Sequence, residues 1–184
     1  MKTLLTTLFI AMLAVPAVAV DSMGVSAAMD VVDDYIFVDP GVPFDVYVVL
    51  IDPSSATIGG YECGLGFEGG DPFVLAVTGP NGWTNFGDNL NHLCGYMTPL
   101  QGQPVTVLST LNCLVSAAPF EALVTMGAST PSSFGGEGPG YSDGVNPEIL
   151  VLCTVPADGV VGVITTEVVA TESQTLSGVK ALFK

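Results

Sequence analysis

Residues 43–67, PFDVYVVLIDPSSATIGGYECGLGF, hold two runs of alternating side chains on either side of a polar break. A period of two is typical of a strand with one buried face, because successive side chains of an extended chain point to opposite sides. The residues that share the apolar face are Phe44, Val46, Val48 and Leu50 in the first run, and Tyr61, Cys63, Leu65 and Phe67 in the second. The break, Asp52-Pro53-Ser54-Ser55, has turn-forming chemistry. The stretch therefore predicts two strands, and Gly64 and Gly66 on the outer face indicate a bulge or the close approach of another segment.

The same alternation recurs in the runs 22–31, 105–113, 149–155 and 179–183, and the runs 120–126 and 160–170 are rich in β-branched residues. A hydrophobic content of 49% and a mean hydropathy of +0.60 are incompatible with disorder. We predict an all-β fold, an antiparallel β-sandwich of jelly-roll or immunoglobulin-like type with roughly 8–10 strands. A single domain should span residues 20–184, with the glycine-rich loop 129–144 decorating it.

The first residues have the pattern that is typical of a secretory leader. Lys2 precedes an apolar run from Leu4 to Val15, and Ala17-Val18-Ala19 is a cleavage signal. We expect a signal peptide over residues 1–19 and a secreted chain, extracellular or periplasmic. No later run reaches the roughly 18 apolar residues of a transmembrane helix.

The four cysteines, Cys63, Cys94, Cys113 and Cys153, are an even number in a chain expected to be exported. Disulfides persist in oxidising compartments, so we predict a sandwich stapled from inside by two bridges. Three pairings are possible, and proximity along the chain favours Cys63–Cys94 with Cys113–Cys153. No C-x-x-C motif or histidine pair supports zinc.

The large excess of acidic residues limits the classes of partner that the chain can bind. All 18 acidic residues follow the leader, where Lys180 and Lys184 are the only bases and arginine is absent. Nucleic acid is excluded because nothing could neutralise phosphates. Cations, basic proteins and neutral glycans remain. Lys180 and Lys184 share a parity, which fits either charge tolerance at a chain end or a docking edge for an acidic neighbour, including a second copy.

The sequence offers few candidate catalytic residues. Gly140-Tyr141-Ser142-Asp143-Gly144 matches G-x-S-x-G, but a glycine-rich loop precedes it and Pro147 opposes a following helix, so a surface turn is expected. His92 is the only histidine, and we interpret it as structural or solvent-exposed. We predict no catalytic residue, although a pair of carboxylates is compatible with the composition.

Two sets of oxygen ligands make calcium the only candidate cofactor. Asp143, Asn146 and Glu148 form one set, and Asp88 with Asn89 and Asn91 forms the other. The alternative is that these residues simply form turns. Trp83 and Phe86 are candidate binding residues, as an aromatic platform for a sugar or protein, unless Trp83 belongs to the core.

The stretch 40-PGVPFDVYVVLIDPSSATIGGYECGLGF-67, followed by 73-FVLAV-77, resembles the front half of cohesin modules. There a PG turn, a strand, a break and a strand of the IGGYxxxLxF type open a jelly-roll sandwich. The chain is also similar to uncharacterised exported bacterial proteins that begin with a DSMGV-like strand and end in a GVKALF-like one. It departs from cohesins at residues 68–71. The resemblance implies a sandwich fold and an extracellular setting, and it transfers no binding face to residues of this chain.

These observations favour a non-catalytic, exported β-sandwich that binds or assembles at the bacterial cell surface, with a protein, a glycan or itself as partner. Two alternatives remain. The chain could be a filament or surface-layer subunit that exchanges its N-terminal strand, residues 22–31, with a neighbour. It could also be a small carboxylate-based glycan hydrolase, which needs a cleft with two facing carboxyls.

Overall fold

The computed structural model describes residues 21–80 and 82–167, and this part of the chain is all β. It contains twelve strands, more than the number predicted, because three of them are only three residues long and leave little pattern. The strands are β1 Ser22–Ser26, β2 Tyr35–Phe37, β3 Phe44–Ile51, β4 Thr57–Glu68, β5 Phe73–Thr78, β6 Trp83–Asn85, β7 Asn91–Gln101, β8 Val105–Leu114, β9 Glu121–Gly127, β10 Gly140–Asp143, β11 Leu150–Leu152 and β12 Val160–Thr165.

The strands form two sheets. The smaller sheet has the antiparallel order β1-β3-β8-β5. The larger sheet has the order β11-β10-β4-β9-β12-β2, with β7 beside β4 and β6 beside β7. Its pairs are antiparallel except for β12 with β2. The all-β antiparallel architecture is thus confirmed.

The core lies between the two sheets and contains the apolar face predicted for the quoted stretch. Val46, Val48 and Leu50 of β3 are buried, as are Tyr61 and Cys63 of β4. Leu65 and Phe67 are partly buried against the same core. The turn predicted at 52–55 separates β3 from β4.

Strand β4 is the long central strand of the larger sheet. Gly64 pairs with Asn91 of β7 on one side and with Gly127 of β9 on the other. On the side of β4 that pairs with β9, the residues of β4 before Gly64 pair with β10. Residues 128–139 form the loop that connects β9 to β10. A Cβ on Gly64 would lie 2.6 Å from the carbonyl oxygen of Ala128. The predicted close approach of another segment is therefore confirmed.

The prediction of disulfide staples is not supported. All four cysteines are buried and free. Cys63 stands opposite His92, and Cys94 stands opposite Tyr61, so the two cysteines are diagonal neighbours. Diagonal positions are about 7–8 Å apart, whereas a bridge needs Cα atoms within about 4.4–6.8 Å. Cys113 lies on β8 in the other sheet, and Cys153 follows β11.

The N-terminal strand is shorter than predicted and completes its own sheet. β1 ends at Ser26 and pairs with β3 of the same chain, with Met23 and Val25 in the core. Residues 27–34 form a loop, so the amphipathic strand 22–31 proposed for exchange does not exist as such. The predicted leader and the run 179–183 lie outside the described residues. Within the described ranges no helix is long and apolar enough to cross a membrane.

Candidate functional site

The inner face of β4 and β7 carries a buried polar network. The hydroxyl of Tyr61 donates to Ser109 Oγ at 2.7 Å, and the same hydroxyl lies 2.9 Å from Nδ1 of His92. The ring's Nε2 lies 3.1 Å from the backbone carbonyl of Asn89. Because a carbonyl only accepts, Nε2 carries the proton of the neutral ring and Nδ1 is an acceptor. With the Tyr61 proton donated to Ser109, the hydroxyl left to donate to Nδ1 is that of Ser109, 3.4 Å away. Ser109 belongs to the smaller sheet, so the network connects the two layers of the sandwich.

His92 is structural, one of the two roles considered for it. The residue has no solvent exposure. Burial lowers the pKa of its ring, against the opposing effects of the Asn89 carbonyl and of Asp88. The histidine is therefore neutral near physiological pH and cannot reach a substrate outside the sandwich.

The four cysteine thiols are also buried and shielded from solvent. Burial raises the pKa of Cys94 to about 11 and that of Cys113 and Cys153 to about 12. Burial also raises the pKa of Cys63 well above its ordinary value. A thiol is a weak nucleophile until it ionises, so none of the four is prepared for covalent chemistry.

The outer face of the same strands bears an open cleft of about 350 Å³. Its floor contains Leu93 and Gly95 of β7 and Glu62 of β4. Its apolar walls come from three loops or strand ends and are formed by Phe86, Phe134, Pro147 and Leu150. The ring of Phe134 lies over Gly140, where any Cβ would collide with it. The loop 128–139 therefore forms one wall of the cleft because β10 begins with glycine.

Glu62 is the only carboxylate among the residues that line this cleft. Its Oε1 accepts hydrogen bonds from Ser132 Oγ and from the backbone N–H of Ser133, both at 2.8 Å. The side chain therefore anchors the loop 128–139 to β4. Retaining and inverting glycosidases both use two facing carboxyls, and this cleft supplies one.

The structure separates the two predicted aromatic binding residues. Phe86 is 78% exposed at the cleft. Trp83 of β6 is partly buried against the core, and its ring packs over Gly79. Trp83 therefore packs against the core whereas Phe86 is exposed, and binding through these two residues stays a prediction.

The predicted calcium ligands act in turns. Asp143 Oδ1 accepts from the backbone N–H groups of Val145 and Asn146, and Asp88 Oδ1 accepts from those of Leu90 and Asn91. These hydrogen bonds lower the pKa of both carboxyls. Among the residues described, no three His, Cys, Asp or Glu side chains are placed to hold a metal ion. Calcium binding through Asp143, Asn146, Glu148 or Asp88 stays a prediction.

The G-x-S-x-G match is part of a strand, which corrects the expected surface turn. Residues 140–143 form β10, and the side chain of Tyr141 is buried. The Tyr141 hydroxyl donates to Asp21 Oδ1 at 2.6 Å and accepts from the N–H of Ser55 at 3.2 Å. Extended backbone does not form the strained turn of a nucleophile elbow.

The cleft residues Glu62, Phe134, Pro147 and Leu150 were not predicted as a site. They come from β4 and from loops distant in the sequence, and only the sheet order brings them together. One signal was present. Glu62 lies on the glycine-bearing outer face of β4, and the long glycine-rich loop falls within the same domain.

The sequence matches no family model and no curated protein. Among solved structures, it is similar to the sixth cohesin of scaffoldin B from Acetivibrio cellulolyticus, in complex with a mutant Cel5 dockerin. That likeness covers 80% of this chain and 99% of that chain, with a TM-score of 0.55 at 14% identity. A structure of the CaDoc0917–CaCohA2 complex matches over 80% of this chain and 98% of that chain, with a TM-score of 0.50 at 13% identity. Such identities establish the fold alone, and we conclude that the chain has a cohesin-like β-sandwich fold.

Proposed function

We propose that this chain is a non-catalytic module that binds a protein partner at the bacterial cell surface. The observation that carries the proposal is the open, apolar cleft on the outer face of the larger sheet, walled by Phe86, Phe134 and Leu150. Exposed aromatic and aliphatic side chains around a concave surface are typical of binding sites. One of the similar solved structures is a cohesin in complex with a dockerin, so this fold can present a surface to a protein partner.

The distribution of reactive groups supports binding rather than turnover. The only histidine and the four thiols face the interior and are buried. The cleft offers one carboxylate, and its Oε1 is held by Ser132 and Ser133. General acid–base chemistry needs a group that can reach the substrate in the correct protonation state. The glycan hydrolase alternative is therefore not favoured by this geometry.

The charge of the surroundings suggests the chemistry of the partner. Glu62 lies in the cleft, and the loops that supply its walls also carry Asp88, Glu137 and Glu148. The described residues include no lysine or arginine. A partner that inserts an apolar side chain and carries lysine or arginine beside it would complement both features.

Site-specific photo-crosslinking in the producing cells tests the proposal. Benzoylphenylalanine replaces Phe86 at the cleft or, as a control, Leu75 of β5, which is 52% exposed on the other sheet. We expect a discrete cross-linked protein from position 86 and none from position 75. The additional substitution Leu150→Asp on the facing wall should abolish the product, because it places a charge in the apolar contact.

Two outcomes would contradict the proposal. Cross-linking that is absent at position 86, or equal at both positions, would show that the cleft holds no specific protein. Hydrolysis of a glycan by the purified chain, abolished by Glu62→Gln, would show that the cleft is an active site instead.

A further inference from the structure

A second opening, which we call the corner pocket, lies where β2 meets the outer face of the smaller sheet. Its volume of about 370 Å³ falls within the range of about 300–1,000 Å³ that is usual for small-molecule sites. Its polar lining residues are Asp45 and Tyr47 of β3 and Asn112 of β8, and its apolar ones include Phe37 of β2 and Pro43. The corner pocket shares no lining residue with the cleft, so the two openings are separate.

The polar side chains of the corner pocket keep unused hydrogen-bonding atoms. Asp45 and Asn112 stand opposite each other on the two strands, and Asn112 Nδ2 donates to Asp45 Oδ1 at 2.8 Å. This bond holds both side chains in place and leaves Asp45 Oδ2 and Asn112 Oδ1 as acceptors without a partner among the described residues. The Tyr47 hydroxyl, which can donate and accept, has no described partner either. Three oriented polar groups are therefore available to a ligand.

Phe37 belongs to a pair of exposed aromatic rings on the edge strand β2. Tyr35 and Phe37 lie on one face of the strand, and Ile36 is buried on the other. The two ring centroids are 6.4 Å apart, and the ring planes are inclined by only 23°. About half of each side chain is exposed. The pair gives a ligand a flat apolar surface directly beside the polar groups of the corner pocket.

Charge and shape together identify the class of ligand. A sugar ring has faces of C–H bonds, which pack on aromatic rings, and edges of hydroxyls, which both donate and accept hydrogen bonds. The described residues include no lysine or arginine, and Asp45 would repel an anionic sugar or a phosphate. A second copy of this chain is disfavoured by the same repulsion, because each copy has a formal net charge of −15. A neutral sugar meets every one of these conditions.

We propose that the corner pocket and the Tyr35–Phe37 pair form a binding site for a neutral glycan. Phe37 packs on the face of one sugar ring, while Asp45 Oδ2 and Asn112 Oδ1 accept hydrogen bonds from its hydroxyls and the Tyr47 hydroxyl donates one. The pocket contains a single carboxylate, and glycoside hydrolysis uses two, so the site binds a glycan without cleaving it. The chain can thus hold a polysaccharide on one sheet while the cleft on the other sheet binds a protein.

Affinity electrophoresis of the full chain tests the proposal. Native gels contain hydroxyethylcellulose, galactomannan or dextran as neutral polysaccharides, or polygalacturonate as an anionic one, and mobility is measured relative to a gel without polysaccharide. We expect at least one neutral polysaccharide to retard the chain and polygalacturonate to leave its mobility unchanged. Phe37→Ala should raise the dissociation constant at least about tenfold. The matched control is Phe73→Ala on β5, whose side chain is 60% exposed away from the pocket and should bind like wild type.

A second pair of substitutions examines the polar half of the site. Asp45→Ala removes an exposed carboxylate from the corner pocket, and Asp71→Ala removes one beside β5, so both change the net charge equally. We expect Asp45→Ala to raise the dissociation constant roughly three- to tenfold and Asp71→Ala to leave it unchanged. Because Asp45 is exposed, this variant also gives an answer if Phe37→Ala does not fold.

Three results would overturn the proposal. Unchanged mobility in all three neutral polysaccharides would show that the pocket binds no neutral glycan. Equal weakening by Phe37→Ala and Phe73→Ala would show that exposed aromatic rings adhere without a specific site. Dimers in native mass spectrometry that Phe37→Ala dissociates would show that the pair is an interface between copies. Each result leaves the proposed function intact, because cross-linking from position 86 reports on the cleft and not on the corner pocket.

Discussion

The two faces of the β4–β7 pair differ in what they expose. The inner face holds His92, Tyr61, Cys63 and Cys94, all buried. The outer face, one residue further along each strand, presents Glu62, Leu93 and Gly95 to an open cleft. The histidine and the thiols are therefore shielded from solvent, and the residues that line the cleft are mostly apolar apart from Glu62. The comparison teaches that these two strands place the histidine and the thiols in the core, where they stabilise the fold, and leave mostly apolar side chains on the face that can contact a partner.

Thiol reactivity should give the largest contrast between the faces. At about pH 8 we expect none of the four thiols to react with a thiol reagent in the folded chain, and all four to react after unfolding in denaturant. The raised pKa of Cys94, from 9.0 to about 11, alone reduces its thiolate fraction by about a hundredfold. Fewer than four thiols in the unreduced, denatured chain would show that bridges exist after all.

Removing one inner hydroxyl should destabilise the sandwich. Tyr61→Phe deletes the group that contacts both Ser109 and His92 and leaves buried polar atoms short of a partner. We expect the free energy of unfolding in urea to fall by about 1–3 kcal/mol.

Tyr35→Phe is the matched control, because Tyr35 is 48% exposed. Its effect should stay within about 0.5 kcal/mol. Equal losses from the two substitutions would mean that the buried network adds no stability of its own.

Acid should weaken the inner network. The pKa of His92 is lowered in the folded chain, so the unfolded chain takes up a proton first as the pH falls below about 6.5. The neutral His92 ring makes its full contribution to the unfolding free energy above about pH 6.5. This contribution is lost as the pH falls from there toward the lower pKa of His92 in the folded chain. Between about pH 7.5 and pH 5, wild type should lose more unfolding free energy than His92→Gln. Parallel pH profiles would contradict this, since the carboxylates titrate in both proteins.

Local pattern was sufficient for much of the fold. Strands β3, β8 and β9 were predicted within about two residues of their ends, because a period of two and turn chemistry are local signals. The end of β4 was predicted equally well, but β4 begins at Thr57, before the predicted apolar run that starts at Tyr61. The PG turn and the two strands after it also indicated the cohesin-like sandwich. Strand β11 is shorter than the run 149–155 that predicted it, since only three of those residues pair in a ladder.

The failures concern contacts distant in sequence. An even count of cysteines suggested bridges, but their separation depends on register, which places Cys63 and Cys94 on a diagonal. The G-x-S-x-G segment became a strand because β4 pairs with it. Trp83 and Phe86 are three residues apart yet point to different surroundings, because Trp83 lies in β6 and Phe86 follows its end. The cleft was not predicted because its residues come from segments that are distant in the sequence and that only the sheet order brings together.

The described body also lacks any lysine or arginine, which has a consequence for its behaviour in brine. Most domains hold some favourable surface ion pairs, so dissolved ions screen attraction and repulsion alike. Here there is only mutual repulsion among carboxylates to screen. The melting temperature should therefore rise slightly and steadily with sodium chloride, and a fall would reveal attractive pairs, for which the chain offers Lys180 and Lys184 outside the described residues.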